Sequence, residues 1–197
     1  VKKGFKEIWL LGQNVNSYYS TSKNSSTAAL AKVDKIIKFH NLLKMVNAVP
    51  GEFRIFFTSP HPADFTDELI EIMAKSKKIA HYLNLPVQSG DNKILQKMNR
   101  PYTVEGYKNL VKKIRKKIPD IYLSTDIIVG FPGETKKQFE NTAKLLKEIK
   151  FNNAYIAKYS PRPGTPAARM KDNVSLAEKK RREKKLRNIL RKQKGNG

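Results

Sequence analysis

The chain has 197 residues, with 40 Lys and Arg against 17 Asp and Glu, so its net charge is +23. This length allows one domain with a core of its own, and a hydrophobic content of 39% argues against a disordered chain. The sequence contains no Cys. This chain therefore cannot form a disulfide scaffold, a zinc ribbon, a thiol nucleophile or a thiolate-held iron–sulfur cluster with its own residues.

The charge and the hydropathy of the chain limit its partners. No apolar run approaches the roughly 18 residues of a membrane span, and no secretory signal opens the chain, so we expect no membrane partner and a cytoplasmic location. A strongly positive chain favours a polyanion such as nucleic acid. The excess is greatest over residues 171–197, where 11 basic and 3 acidic residues give 11 − 3 = +8. Much of the remaining positive charge would also be explained by an AT-biased genome that encodes many Lys residues, most of them simply solvated.

Short β-branched and aromatic runs alternate with helical patterns along the chain. The predicted strands are 7–11, 53–57, 82–87, 122–129 and 154–159. Several of these are apolar on both faces, which is typical of a buried parallel sheet. Five βα repeats in series predict an α/β fold with about five parallel strands and outer helices. Periodicity does not separate an open doubly wound sheet from part of a barrel.

The helices have recognisable starts. They are predicted over 27–46 and 91–98, after Thr66, Thr103 and Thr135, and as a basic helix over 175–193. Thr135 and Gln138 have the spacing of a capping box. Because the composition changes near residue 171, we divide the chain into a barrel domain, 1–170, and a basic helical tail, 171–197.

Polar loops follow all five predicted strands, at the edge where parallel α/β folds bind ligands. They cover residues 12–18, 58–62, 86–90, 130–134 and 160–166, and combine Gly and Pro with amide and hydroxyl groups. Any one of them is compatible with ordinary turn chemistry. Five on one edge, hereafter the rim, predict a bound polar ligand, with the reactive chemistry supplied by a cofactor.

Common catalytic motifs are absent from these loops. The sequence has neither a GxGxxG dinucleotide fingerprint nor a GxxxxGK[ST] phosphate loop. His40, His61 and His81 lack the spacing of metal ligands, so no metal site is predicted. We interpret His61, which stands between two prolines, as a turn residue in preference to a ligand contact, and His81 as a surface residue.

At these loops the sequence resembles the tRNA methylthiotransferases, which are radical-SAM enzymes, and the MiaB-type branch in particular. The matching segments are LLGQNVNSY (10–18), RIFFTSPHPADF (54–65), LPVQSGDNKILQKMNRPYT (85–103), STDIIVGFPGET (124–135) and YSPRPGTPAA (159–168). They occur in order through most of residues 5–170. The resemblance implies an incomplete radical-SAM (βα)6 partial TIM barrel followed by the basic helix.

The resemblance also implies methylthio transfer to C2 of N6-isopentenyladenosine beside the tRNA anticodon. It implies S-adenosyl-L-methionine as cofactor, and two [4Fe-4S] clusters in the full-length enzyme with no ligands in this chain. The implied partners are tRNA and a flavodoxin- or ferredoxin-type electron donor, and a monomer is expected. The family's N-terminal domain, CxxxCxxC loop and C-terminal TRAM domain have no counterpart here, so we expect a fragment that is inactive alone and, with an exposed sheet edge, marginally stable.

Three alternatives stay open. The chain could be a cluster-free, tRNA-binding paralogue without catalysis. It could belong to a sister branch of methylthiotransferases that acts on another modified adenosine or on a ribosomal protein. If the motif match were coincidental, it could be an unrelated doubly wound nucleotide-binding enzyme.

The site residues follow from the resemblance. The implied cofactor-binding residues are Gln88, Ser89, Arg100, Ser124, Asp126, Gly130, Tyr159 and Pro161, and those facing cofactor or substrate are Gln13, Asn14 and Asn16. Arg100 is expected to pair with the cofactor's carboxylate as a two-pronged donor, although a surface helix terminus explains it equally well. No catalytic residue is assigned to this chain. Tyr82 and Asn84 stand where the family usually has two His.

Overall fold

The computed structural model describes residues 4–22 and 35–195. Within these ranges the strands are β1 (Glu7–Leu10), β2 (Tyr19–Ser22), β3 (Lys35–Lys38), β4 (Arg54–Phe57), β5 (Tyr82–Asn84), β6 (Tyr122–Val129) and β7 (Asn153–Lys158). The α-helices are α1 (Phe39–Ala48), α2 (Asp67–Lys75), α3 (Asn92–Lys97), α4 (Val104–Lys117), α5 (Lys136–Ile149) and α6 (Leu176–Gly195). Short 3-10 turns cover Val15–Ser17, Pro62–Asp64 and Pro166–Arg169.

The five predicted parallel strands are present and lie side by side in chain order. β1 pairs with β4, and β6 pairs with β5 on one side and β7 on the other. The segment before β5 joins the two groups, since the Ile55 N–H donates to the Lys78 carbonyl at 2.8 Å and the Ala80 N–H donates to the Ile55 carbonyl at 2.9 Å. A doubly wound sheet reverses its strand order at a switch point. The sequential order therefore identifies an open partial barrel, as the resemblance implied.

The two faces of this curved sheet differ in burial. On the helix side, Leu83 and Val129 are fully buried in a core shared with the helices. On the concave side, Trp9, Tyr122 and Tyr155 are 44%, 40% and 52% exposed. The prediction that the strands are buried on both faces is therefore wrong for the concave face, because in the described ranges the helices cover one side only.

One helix prediction is also wrong in part. Residues 35–38 form β3, which pairs antiparallel with β2, with Tyr19 opposite Lys38. The helix begins at Phe39, and residues 27–34 of the predicted 27–46 helix lie outside the described residues. The Lys-Ile-Ile-Lys run of β3 contains β-branched residues that pair well across a hairpin, so local pairing overrides helical continuation.

The predicted helix starts are confirmed. The side chains of Thr66, Thr103 and Thr135 each accept a hydrogen bond from the backbone N–H three residues on. The capping box is complete, since the Thr135 N–H donates to Gln138 Oε1 at 2.9 Å. The caps at Thr66 and Thr135 fix the starts of the helices that follow two of the rim loops.

The basic helix α6 packs against α5 and β7. Its Leu186 and Leu190 belong to the hydrophobic core of the barrel. The division of the chain at residue 170 stays a prediction, and these contacts give it no support as a packing boundary. Among the described residues, none of the helices combines the length and the apolar character that a membrane span requires.

Candidate functional site

A cavity of about 270 Å³ opens at the rim. It draws on three of the predicted rim loops, on β5 and β6, and on the segment after α3. Its lining residues are Gln13, Ser59, Pro60, His61, Pro62, Asn84, Pro86, Gln88, Arg100 and Asp126. Four of the residues implied by the resemblance, Gln13, Gln88, Arg100 and Asp126, are thus brought together from distant parts of the sequence.

Gln88 is held in an unusual backbone conformation beside this cavity. Its φ is +67°, in the left-handed region that residues other than Gly rarely adopt. Its N–H donates to the Asp126 carbonyl at 2.8 Å, and its carbonyl accepts from the Ile128 N–H at 3.0 Å, so the conformation is locked by β6. Ser59, on the same cavity wall, has a φ of +53°. Strained residues of this kind, costing about 1–3 kcal/mol each, cluster at ligand sites.

Arg100 reaches the cavity from the end of α3. Asn99 adopts a φ of +55°, the Asn99 N–H donates to the Gln96 carbonyl at 3.0 Å, and the Arg100 N–H donates to the Leu95 carbonyl at 2.9 Å. This is a Schellman ending, which turns the chain sharply out of the helix. Arg100 is half-buried rather than a freely exposed helix terminus, the alternative left open by the sequence.

Two buried polar atoms at the cavity lack a partner. Within the described residues, neither Oε1 of Gln88 nor Nε of Arg100 makes a hydrogen bond. One is an acceptor and the other a charged donor, and leaving either unpaired costs about 1–3 kcal/mol or more. The cavity is therefore suited to a ligand that carries both a donor and an anionic acceptor.

Asp126 is oriented by its neighbours on the concave face. Asn84 Nδ2 donates to Asp126 Oδ2 at 2.8 Å, and Ser124 Oγ donates to Asn84 Oδ1 at 2.9 Å. Asn84 thus occupies the cavity wall at one of the positions where the family usually has His. Ser124 is fully buried, and its hydroxyl fixes the Asn84 amide in the orientation that donates to Asp126.

His61 is a turn residue, as predicted, and it also lies at the cavity. Its Nδ1 accepts from the Ala63 N–H at 3.3 Å, so it caps the short turn Pro62–Asp64, and its ring also lines the cavity. The ring packs edge-on against Tyr102, with 5.6 Å between centroids. Burial, together with the nearby charge of Arg100, lowers the pKa of His61 below its usual value. A lowered pKa favours the neutral ring, in which Nδ1 can accept from the Ala63 N–H.

Asn14 and Asn16 join two rim loops instead of lining the cavity. Asn16 Nδ2 donates to the His61 carbonyl at 2.9 Å, and the His61 N–H donates to Asn16 Oδ1 at 2.7 Å. Asn14 Nδ2 donates to Asp64 Oδ2 at 2.8 Å, and Ser17 Oγ donates to the same oxygen at 2.5 Å. Hydrogen bonds from Ser17 and Asn14 lower the pKa of Asp64. These contacts hold Gln13 and His61 at the cavity.

The other residues implied by the resemblance lie elsewhere. Ser89 is fully buried and faces α5, with its Oγ 3.4 Å from Thr142 Oγ1. Gly130 and Tyr159 pack against Lys179 of α6, and Pro161 is exposed in the loop after β7. Sequence reasoning missed Ser59, Pro60, Pro62, Asn84 and Pro86 as lining residues, although all of them lie in or beside the predicted rim loops.

The geometry defines a class of protein: a parallel α/β partial barrel with a polar cavity at the carboxyl ends of its strands. The chain belongs to the radical SAM superfamily, whose family model matches residues 1–146. Coproporphyrinogen III oxidase (HemN) from Escherichia coli, described as a radical SAM enzyme, is similar with a TM-score of 0.63 and 19% identity, over 77% of this chain and 36% of that chain. The radical S-adenosylmethionine methyltransferase TsrM from Kitasatospora setae is similar with a TM-score of 0.54 and 19% identity, over 66% and 25%. At such identities these two show the fold alone.

Curated relatives are closer in sequence. The chain is 48% identical to tRNA-2-methylthio-N(6)-dimethylallyladenosine synthase of Buchnera aphidicola subsp. Baizongia pistaciae, over 96% of this chain and 40% of that protein. It is 47% identical to the protein of the same name from Carboxydothermus hydrogenoformans, over 94% and 40%. The protein of that name from Acetivibrio thermocellus is 48% identical, over 94% and 36%. The chain thus spans about 40% of the length of the relatives it matches.

Proposed function

We propose that this chain is the S-adenosylmethionine-holding part of a tRNA-2-methylthio-N(6)-dimethylallyladenosine synthase. The observation that carries the proposal is the rim cavity with its unpaired Gln88 acceptor and Arg100 donor. The three reported relatives share that name, which favours this branch over a sister branch of methylthiotransferases.

The cavity residues fit this cofactor. The Arg100 guanidinium would hold the α-carboxylate, and Gln88 Oε1 would accept from an amino or hydroxyl group. Asp126 and Gln13 add an acceptor and an amide to the same wall. When bound, S-adenosylmethionine supplies the sulfonium group on which this superfamily's chemistry depends. The contribution of these residues is to bind and orient it.

The iron–sulfur clusters do not fit the residues of this chain. The sequence has no Cys, and the described part of the chain holds no group of three or more His, Asp and Glu side chains arranged for a metal. The described residues therefore supply no ligand set for a cluster. Two clusters, a flavodoxin- or ferredoxin-type electron donor, a tRNA substrate, a monomeric state and a cytoplasmic location remain proposals for the whole enzyme.

Calorimetric titration of the purified chain with S-adenosylhomocysteine tests the cofactor site. We expect Arg100→Met to weaken binding about 10- to 100-fold, because a charge-assisted hydrogen bond contributes roughly 1.5–3 kcal/mol. Arg54→Met is the matched control, since Arg54 is exposed at the opposite end of β4 and its loss removes the same charge. Equal effects of the two variants would contradict the proposed site.

A chimera tests the reaction. Residues 5–170 would replace the matching segment of the Carboxydothermus hydrogenoformans relative, and tRNA nucleosides would be analysed by mass spectrometry for the 2-methylthio product. We expect product with the chimera and little product when it carries Arg100→Met. A chimera that folds with its clusters and forms no product would argue against this assignment while leaving the cofactor titration intact.

A further inference from the structure

A second cavity, of about 680 Å³, lies at the end of the barrel opposite the rim. It is formed where β6 begins, where α5 ends and where α6 ends. Four of its lining residues are lysines: Lys147, Lys150, Lys192 and Lys194. Among the described residues, no Asp or Glu lines it.

None of these four lysines pairs with a carboxylate of the described residues. The lysine ion pairs found in residues 4–22 and 35–195 involve other side chains. A comparable cavity between α2 and α4 also has four lysines, but there Lys113 pairs with Asp67 at 2.8 Å and Lys117 pairs with Glu71. Lysine content alone therefore does not explain the uncompensated charge at the second cavity.

Compensation of the α5 dipole does not explain it either. Lysines often occur at helix ends to balance unpaired carbonyls. Here Gln193 Nε2 donates to the Leu146 and Lys147 carbonyls at 3.4 and 3.1 Å. The Arg115 guanidinium donates to the Ile149 and Lys150 carbonyls at 2.6 and 3.0 Å. Four carbonyls at or just after the end of α5 thus have donors other than these lysines. Among the four ammonium groups, that of Lys194 lies 3.5 Å from the neutral Asn153 Oδ1, and none has an anionic partner in the described residues.

The cavity also offers a surface for an aromatic ring. The ring of Tyr122 is 40% exposed, lines the cavity, and stacks on Tyr82 with 5.4 Å between centroids. Nearby, Oε1 of Gln193 is buried and, in the described part of the chain, has no hydrogen-bond partner. An occupant with an anionic group, a flat ring and an N–H or O–H donor satisfies all three features.

We propose that this cavity binds a nucleoside phosphate, with the phosphate among the four lysines and the base against Tyr122. Its source is either a free nucleotide or one unit of a single-stranded RNA. The site is far from the rim and does not depend on the cofactor assignment. Base stacking on an aromatic side chain contributes about 1–3 kcal/mol per base, and phosphate contacts make the binding salt-dependent.

Fluorescence anisotropy with the full chain and a labelled single-stranded oligoribonucleotide tests the phosphate contacts. For Lys147→Ala/Lys192→Ala, binding should weaken and the slope of log K against log salt should become shallower by up to about 0.7, because the lysines of the cavity share one phosphate. The control is Lys180→Ala/Lys184→Ala, which removes two exposed lysines from the first half of α6, outside the cavity. If both double variants lost RNA affinity equally, the binding would reflect general attraction to the positive surface, and the proposal would be overturned.

The stacking contact has its own test. Tyr122→Leu should weaken binding about 5- to 100-fold, and Tyr122→Phe should retain it. Tyr155→Leu is the control, since Tyr155 is 52% exposed on the next strand and lies outside the cavity. Thermal melts of each variant establish that it is folded. Unchanged binding by a folded Tyr122→Leu variant would overturn the proposal.

Competition identifies the source of the ligand. AMP should displace the strand at lower concentrations than inorganic phosphate does, and equal potency would overturn the proposal. If AMP binds as tightly as the strand, the occupant is a free nucleotide, and if the strand binds more tightly, it is RNA. S-adenosylhomocysteine binding should be unchanged in the lysine variants, which separates this site from the rim.

Discussion

The guanidinium of Arg182 lies 2.6 Å from a carboxylate oxygen of Glu134, and both side chains are almost fully buried. The same carboxylate oxygen accepts from the Gly130 N–H at 2.7 Å. Burial raises the pKa of Glu134, and the Gly130 N–H and Arg182 offset part of that effect. Helix α6 therefore holds the loop after β6 in place from the outer side of the barrel.

Arg182→Met tests this connection. We expect it to lower the free energy of unfolding by about 3–5 kcal/mol, because it leaves a buried carboxylate without its counter-charge. Urea denaturation of the purified chain measures the change. The control is Arg187→Met, which removes a 55% exposed side chain paired with Glu183 and should cost less than about 1 kcal/mol. A similar loss of unfolding free energy for both variants would show that burial does not increase the contribution of the Arg182–Glu134 ion pair.

Acid sensitivity is predicted to depend on Glu178. Hydrogen bonds from Arg181 and Arg182 lower the pKa of Glu178 to about 2. Because the folded pKa lies below the unfolded value, the stabilisation is present above about pH 5 and is lost as the pH falls toward 2. Glu178→Gln should therefore flatten the pH dependence of the melting temperature in that window. Glu52→Gln, at an exposed position, serves as the control and should leave the profile unchanged.

Gly90 is predicted to tolerate no side chain. A Cβ at this position would lie 2.5 Å from Cα of Thr142 and 2.8 Å from the Asn141 carbonyl oxygen, both backbone atoms of α5. Gly90→Ala should destabilise the chain by about 1–3 kcal/mol, because the backbone of α5 must shift. Gly106→Ala, within α4 and with only the Thr103 hydroxyl 3.4 Å away, should instead stabilise it by up to about 1 kcal/mol. Chemical denaturation distinguishes these opposite signs.

The contact between the first two rim loops is predicted to depend on the amide of Asn16. Asn16→Asp keeps the acceptor for the His61 N–H but leaves the His61 carbonyl without its donor. We expect a loss of about 1–3 kcal/mol in stability, and weaker S-adenosylhomocysteine binding because His61 moves. Asn188→Asp is the control, since it makes the same change at an exposed position of α6. Wild-type stability of Asn16→Asp would contradict a structural role for this amide.

The positions of the strands were largely predictable from the sequence, but which of their faces are buried was not. β6 was predicted over 122–129 and has those bounds, because this largely apolar and β-branched run pairs with β5 through residues 122–124 and with β7 through residues 124–129. β5 was predicted over 82–87 but ends at Asn84, since Pro86 has no N–H for the ladder and Gln88 has a positive φ. The open concave face depends on which elements cover the sheet, and the strand sequences carry no signal for that.

The site was predictable as a rim, but its individual contacts were not. Gln88 and Ser89 are adjacent in a single motif, yet Gln88 lines the cavity and Ser89 faces α5. The left-handed backbone conformation of Gln88 directs its side chain and that of Ser89 to different sides. The sequence does not indicate this conformation, because the residue that adopts it is not Gly. Likewise, the amides of Asn14 and Asn16 have the chemistry of ligand contacts, and only the tertiary structure shows that they bond the neighbouring loop.

The packing of α6 sets a lower limit on the smallest unit in which the proposed cofactor site can be tested. A shortened chain that stops before residue 176 would uncover the apolar groups beneath Leu186 and Leu190 and would strand the carboxylate of Glu134 in the interior. Deleting this lysine- and arginine-rich end would therefore disturb the rim, which is the region that a cofactor-binding experiment is meant to test. Nucleic-acid affinity and cofactor affinity have to be separated by surface substitutions rather than by deletion.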